Sequence, residues 1–188
     1  MRIIAGKLSS RKLIAPAGRT TRPMTDRVRG AVFNIIAHHD WGVAIGDPLE
    51  GTGVLDAFCG TGALAFEALS RGAVQAFLFD KDREALRTAK ANAEALGVRD
   101  ACQIMPVDTL TPPRATEPCQ LVFLAPPYRK GLIPPALAAL DKAGWIAPNA
   151  LIMAETAKTE TLLLPTKYTV VLSRTYGDTT VCFIGIRD

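Results

Sequence analysis

The run Asp56-Ala57-Phe58-Cys59-Gly60-Thr61-Gly62-Ala63-Leu64, entered from the apolar pair Val54-Leu55, holds the residue types that cradle a nucleoside-like ligand. Two glycines in a tight turn let the backbone approach a ligand where a Cβ would collide. A helix opening directly after them aims free N–H groups and its positive dipole end at the same place. Asp56, at the end of the preceding strand, can accept hydrogen bonds from a cationic or hydroxylated group. Asp80 follows Gly62 by eighteen residues at the end of a second apolar run, where an acid holds ribose hydroxyls. Asp108 ends a third run and reads either as an acceptor for an adenine amino group or as a turn residue before Thr109. Pro126-Pro127-Tyr128 closes a fourth. Two prolines there leave the Pro126 carbonyl without helix or ladder partners. The aromatic beside it can stack on a base that has left its helix, or can pack on the core in a rigid turn.

The pattern between these residues predicts the elements that hold them. Apolar residues at 3–4 spacing (Val28, Ala31, Val32, Ile35, Ile36) predict a helix opened by Pro23-Met24-Thr25-Asp26, with Thr25 or Asp26 as N-cap and Arg27, Arg29 and Asn34 among its polar positions. Helices are expected over 63–71, stopped by Gly72, then from Asp82 to Gly97, then over 133–143. Strands are expected at 54–56, 76–80, 103–107, 120–125 and 151–155, the apolar ones suited to a buried parallel sheet. Residues 168–176 and 179–186 flank Gly177-Asp178, a two-residue hairpin signal. Alternating strand and helix followed by a hairpin predicts a Rossmann-like α/β fold, mostly parallel, with an antiparallel addition at one side. The first 22 residues read as a strand pair around residues 6–11, followed by a Pro16-Ala17-Gly18 turn. Residues 1–50 are therefore expected to form a small basic extension and 51–188 the main domain.

Charge divides along the same line. Residues 1–29 carry eight Lys and Arg against the single acid Asp26, a net of +7. The other 159 residues carry fourteen bases and seventeen acids, a net of −3. An ordered basic arm on a mildly acidic body points to a polyanionic partner. No stretch of eighteen apolar residues is present, which excludes a membrane-spanning helix, and no apolar leader argues for export. The four cysteines form no C-x-x-C pair and the two histidines, His38 and His39, are adjacent, so neither a metal site nor a disulfide framework is expected. Reduced thiols in a cytoplasmic protein are the expectation.

Taken with the hairpin, these motifs resemble the class I methyltransferases, and among them the RsmD family. The resemblance rests on Arg2-Ile3-Ile4-Ala5-Gly6, Arg11-Lys12-Leu13, the block from Arg22 through Arg29, Phe33-Asn34, the run from Asp56 to Leu64, and Glu67-Ala68-Leu69-Ser70-Arg71-Gly72-Ala73. It implies a seven-stranded sheet and transfer of a methyl group from S-adenosylmethionine to the exocyclic N2 of a guanine in bacterial 16S rRNA. It also implies that Asp56, Phe58, Gly60, Gly62, Asp80, Lys81 and Asp108 hold the cofactor, while Pro126, Pro127, Tyr128 and position 125 hold the target base. Arg2, Lys7, Arg11, Lys12, Arg22, Arg27 and Arg29 are then the RNA-binding set, and the partner is 16S rRNA or the 30S subunit, met by a monomer. One departure stands out: where that family has Asp before its two prolines, this chain has Ala125. An exocyclic amine gives its lone pair to the ring, so an oxygen acceptor that keeps the nitrogen pyramidal assists attack. Ala125 cannot do this. Open readings are that Asp26 substitutes, that Pro126 suffices, that the target atom or nucleic acid differs, or that the chain binds RNA without catalysis. An NAD-linked oxidoreductase lacks an evident acid or base for hydride transfer.

Overall fold

A computed structural model describes residues 1–15, 24–42 and 45–187. The predicted Pro16-Ala17-Gly18 turn, Pro23 and the candidate RNA contact Arg22 lie outside the described residues.

Seven strands form one sheet in the order β3-β2-β1-β4-β5-β7-β6. β1 (Gly53–Asp56), β2 (Gln75–Asp80), β3 (Cys102–Pro106), β4 (Cys119–Leu124) and β5 (Ile146–Ala157) run parallel. β7 (Thr179–Ile186) is antiparallel to β5 and to its hairpin partner β6 (Tyr168–Tyr176), so the hairpin inserts its second strand against the sheet and leaves its first at the edge. The central strands are buried on both faces, and their apolar runs accordingly lack alternation. Chain order reverses between β1 and β4, which leaves a crevice beyond their carboxyl ends.

One face packs against α1 (Asp26–His38), α2 (Ala63–Ser70) and α3 (Arg83–Leu96), and the other against α4 (Ile133–Lys142), Trp145 and Tyr168. Thr25 is the N-cap of α1, its side chain accepting from Val28 N, and Asp82 caps α3 through Glu84 N. Gly97 ends α3 in the left-handed conformation. Ile3 and Leu13 from the arm join Val32, Phe33 and Ile36 of α1 in the same apolar cluster as Phe66, Phe123 and Phe183. Phe33 sits 5.7 Å from the Phe123 ring, so residues 1–50 share a core with the sheet. Burying each such ring stabilises by roughly 1.5–3 kcal/mol.

The predicted N-terminal strand pair is reduced to a single antiparallel bridge between Arg2 and Lys12. The halves of the arm are joined by backbone bonds from Ile3 N to Arg11 O, Ser10 N to Ile3 O and Leu13 N to Met1 O, but the N–H groups of Ile4, Ala5, Leu8 and Ile14 turn to side chains of α2 and α3, which interrupts a regular ladder. β5 extends well past the predicted 151–155 because Ile146-Ala147 already pairs alongside Cys119. His38 is the last residue of α1 and His39 its C-cap, so the pair ends the helix instead of lying in the loop beyond it. Among the described residues no helix is long and apolar enough to cross a membrane, and no cluster of three His, Cys, Asp or Glu side chains could hold a metal ion.

Candidate functional site

The β1–α2 turn lies at the crevice. Gly60 and Gly62 adopt φ of +52° and +80°, the left-handed region that favours glycine. Space beside Gly60 is open, whereas a Cβ on Gly62 would lie 2.4 Å from Phe66 and 2.8 Å from Leu78. The second glycine thus also seats α2 on the sheet. Gly62, the N-cap of α2, has no side chain to cap the helix, and the first-turn N–H groups of Ala63 and Leu64 are left without a side-chain acceptor among the described residues.

Asp56 is 1 % exposed. Its Oδ2 accepts only a long 3.4 Å bond from Ala65 N, and its buried Oδ1 has no partner among the described residues. Burial pushes the carboxyl up to about 7; the Ala65 bond opposes this and the nearby charge of Asp80 adds to it. A buried acceptor with an empty lone pair is costly unless a donor fills it.

Asp80 reaches back to the turn: Oδ2 accepts from Gly60 N and Oδ1 from Asp82 N, both at 2.9 Å. Each oxygen retains a further lone pair for a ligand. Lys81 is exposed beside it, and Phe58 is half-buried against the α4-side core. Asp108 is exposed, with Oδ1 accepting from Leu110 N in a side-chain turn. Thr109, next to it, donates to the Ala57 carbonyl and ties the β3 loop to the end of β1. Cys59 is no nucleophile. Burial, followed by the charges of Asp56 and Asp80, raises its thiol well above the ordinary range.

Across the crevice the chain leaves the sheet at half-buried Ala125 and buried Pro126. Arg129, two residues past Pro127, holds φ +59°, a strained conformation for a non-glycine residue. Tyr128 is 37 % exposed, and its hydroxyl donates to Glu155 Oε1 at 2.5 Å and meets Thr179 Oγ1 at 2.8 Å. The ring is therefore moored to β5 and β7 through its hydroxyl. Glu155 had no role in the sequence reading beyond ending a strand. A signal for it exists all the same: like Asp56 and Asp80, it is an acid near the carboxyl end of an apolar run.

The arm is stapled over α2 and α3. Glu67 accepts from Ile4 N and Ala5 N, and Ser70 Oγ accepts from Leu8 N. Asn92 accepts from Ile14 N and donates to the carbonyls of Ile14 and Thr61, joining the arm to the glycine turn. Arg2, Lys7, Arg11, Lys12 and Arg27 are exposed, although the Arg11 guanidinium donates to the Ala95 carbonyl. Arg29 does not belong with them. It is fully buried, bonded to the Arg2 carbonyl and to Asp26 at 2.9 Å, with Glu67 at 3.8 Å. Its helical position looks polar in sequence, but that face lies under the arm, so the guanidinium ties arm to helix and reaches no phosphate.

The whole chain is similar to proteins of one kind. The family pattern described as Conserved hypothetical protein 95 matches residues 1–185. The Ribosomal RNA small subunit methyltransferase D of Haemophilus influenzae is 32 % identical over 181 residues, covering 94 % of this chain and 89 % of that one. The protein of the same name from Escherichia coli strain K12 is 35 % identical over 155 residues, covering 82 % and 74 %. A solved structure described as "Putative methyltransferase yhhF from Escherichia coli" superposes with a TM-score of 0.82 at 30 % identity, covering 99 % of this chain and 97 % of that one.

Proposed function

This chain belongs to the RsmD family of methyltransferases, and we propose that it transfers a methyl group from S-adenosylmethionine to the exocyclic N2 amine of a guanine in bacterial small-subunit rRNA, in the cytoplasm. The observation that carries the cofactor half of this reading is Asp56: a fully buried carboxylate oxygen without a partner among the described residues, beside a glycine turn and a helix start whose N-cap is glycine, at the sheet's switch point. A ligand bearing an ammonium group and ribose hydroxyls fits that donor deficit. When bound, the sulfonium cofactor supplies an electrophilic methyl group.

The chain's own residues do the rest. Asp56 accepts from the donor group of the methionine part, Asp80 uses its remaining lone pairs on the ribose, and Asp108 offers its exposed oxygen to the adenine edge. Phe58 and Lys81 flank these contacts. On the far side of the crevice Pro126 presents its carbonyl to the target amine and Pro127 holds that turn rigid. Tyr128, anchored at its hydroxyl, offers its ring to the extruded base. Residues 1–50 make the RNA contact through Arg2, Lys7, Lys12 and Arg27, with Arg22 and the side of Arg11 not spent on Ala95, and residues 51–188 carry the chemistry.

Transfer of labelled methyl to undermethylated 30S subunits, to deproteinised rRNA and to duplex DNA tests this directly. Label at guanine N2 of the RNA is expected. Label in DNA, or at a different RNA atom, would replace the substrate assignment. Ala125 favours a second reading, a chain that binds RNA without catalysis. Binding of rRNA and S-adenosylmethionine with no label transferred to any substrate is the result that would establish it.

A further inference from the structure

The acid missing before the two prolines has a structural neighbour. β4 and β5 are paired in parallel register up to Leu124 and Ala154, so Ala125 and Glu155 are the next residues on adjoining strands. Adjacent strands lie only about 4.8 Å apart. Strand alternation also gives the two residues the same face. Leu121, Phe123, Leu151 and Met153 all point into the core under α1, α2 and α3, and Ala125 packs against that core. Glu155 follows Met153 by two residues. Its side chain is one methylene longer than that of Asp, which suits an approach from one strand away.

The surroundings of Glu155 are those of a functional acid more than of a structural one. It is 7 % exposed and has no basic partner in an ion pair among the described residues. Its only hydrogen bond among the described residues is the one Oε1 accepts from Tyr128, so Oε2 has acceptor capacity to spare. Together with Pro126, Pro127 and Tyr128 it borders a cavity of about 170 Å³ whose other walls are residues 131–134 at the start of α4 and residues 160–163 after β5. That is smaller than the roughly 300 Å³ at which pockets for drug-sized ligands begin, and suits the edge of a ring.

We infer that Glu155 supplies the acceptor Ala125 lacks, taking an N–H of the target base's exocyclic amine while the Pro126 carbonyl takes the other. The inference rests on the amino-methyltransferase reading above. Asp26, the other acid open to that role from the sequence, is engaged with Arg29 at 2.9 Å.

The test is single-turnover methyl transfer to the rRNA substrate by five proteins: the native chain, Glu155→Ala, Glu155→Gln, Tyr128→Phe, and Glu155→Ala combined with Ala125→Asp. Loss of one such polar contact at a reacting centre typically lowers turnover about 10²–10³-fold, and Glu155→Ala is expected to fall in that range with its cofactor affinity unchanged. Glu155→Gln keeps a carbonyl acceptor and recovers most of the loss. Ala125→Asp, restoring an acid on the neighbouring strand, rescues Glu155→Ala at least tenfold, which a merely structural role for Glu155 would not allow. Tyr128→Phe, which keeps the ring and the carboxylate, costs much less than Glu155→Ala. An active native protein whose Glu155→Ala variant keeps its rate, or is not rescued by Ala125→Asp, overturns this inference alone. Equal losses in Tyr128→Phe and Glu155→Ala also overturn it, since Glu155 would then act only by holding the ring. A native protein that labels no RNA overturns the methyl-transfer reading and this inference with it.

Discussion

Asp56 sets the pH response of the site. In the folded chain its carboxyl sits near 7, well above the ordinary carboxylate range, because burial disfavours the charge. Between that range and pH 7 the folded state holds a proton that the unfolded chain has lost. The group therefore weighs against folding increasingly as pH rises through this window, and fully above it. A ligand whose donor fills Oδ1 favours the carboxylate and releases that proton. S-adenosylmethionine should accordingly bind more tightly as pH rises through about 7, with affinity changing by up to about tenfold per pH unit below that point. Calorimetry from pH 5.5 to 8.5 measures this. Asp56→Asn should bind weakly and lose the dependence; a native affinity that does not change with pH would mean that Asp56 does not contact the ligand.

Between elements, the arm and α1 are held to α2 by a charge cluster centred on the fully buried Arg29 and Glu67. Arg29 lies between Asp26 and Glu67, while Glu67 also bonds Arg71 at 2.8 Å and two arm amides. Two guanidinium nitrogens of Arg29, Nε and Nη1, lack hydrogen-bond partners among the described residues, so the cluster is an expensive one to bury. Removing one member is worse than keeping all of them. Arg29→Met should leave Asp26 and the Arg2 carbonyl without their buried cation and Glu67 with Arg71 alone, and destabilise by up to about 3–5 kcal/mol, read from urea unfolding. Should Arg29→Met unfold at the native urea midpoint, the cluster does not hold the arm, and the buried placement of Arg29 would need revision.

At the scale of the whole molecule, the arm spreads its cations over the α2 and α3 face, beginning next to the glycine turn through Asn92 and Ile14. The crevice beyond β1 and β4, the Pro126–Tyr128 loop and the basic surface thus rest on a shared core. RNA binding should be strongly salt-dependent, each phosphate contact adding about 0.7 to the slope of log affinity against log salt for single strands. Replacing Arg2, Lys7, Lys12 and Arg27 by Ala together should lower that slope by up to about 3 without changing stability much. Filter binding from 50 to 300 mM salt measures it, and an unchanged slope would move the RNA surface elsewhere on the chain.

Several features were legible in the residues alone. Strand and helix periods, the Thr25 and Asp82 caps, the Gly97 stop and the Gly177-Asp178 hairpin are local, decided by backbone preferences and spacing within a few residues. Asp56 and Asp80 stood out for the same reason, as acids ending apolar runs beside a glycine turn. Tertiary structure alone decided the rest, because burial and pairing depend on chain segments far apart in sequence. It buried Arg29 under an arm 27 residues away from it at Arg2, and turned a helix-surface cation into an internal tie. It packed Phe66 and Leu78 into the space that a Cβ on Gly62 would take. It also set Glu155 beside Ala125 through strand register, thirty residues apart along the chain and one strand apart in space.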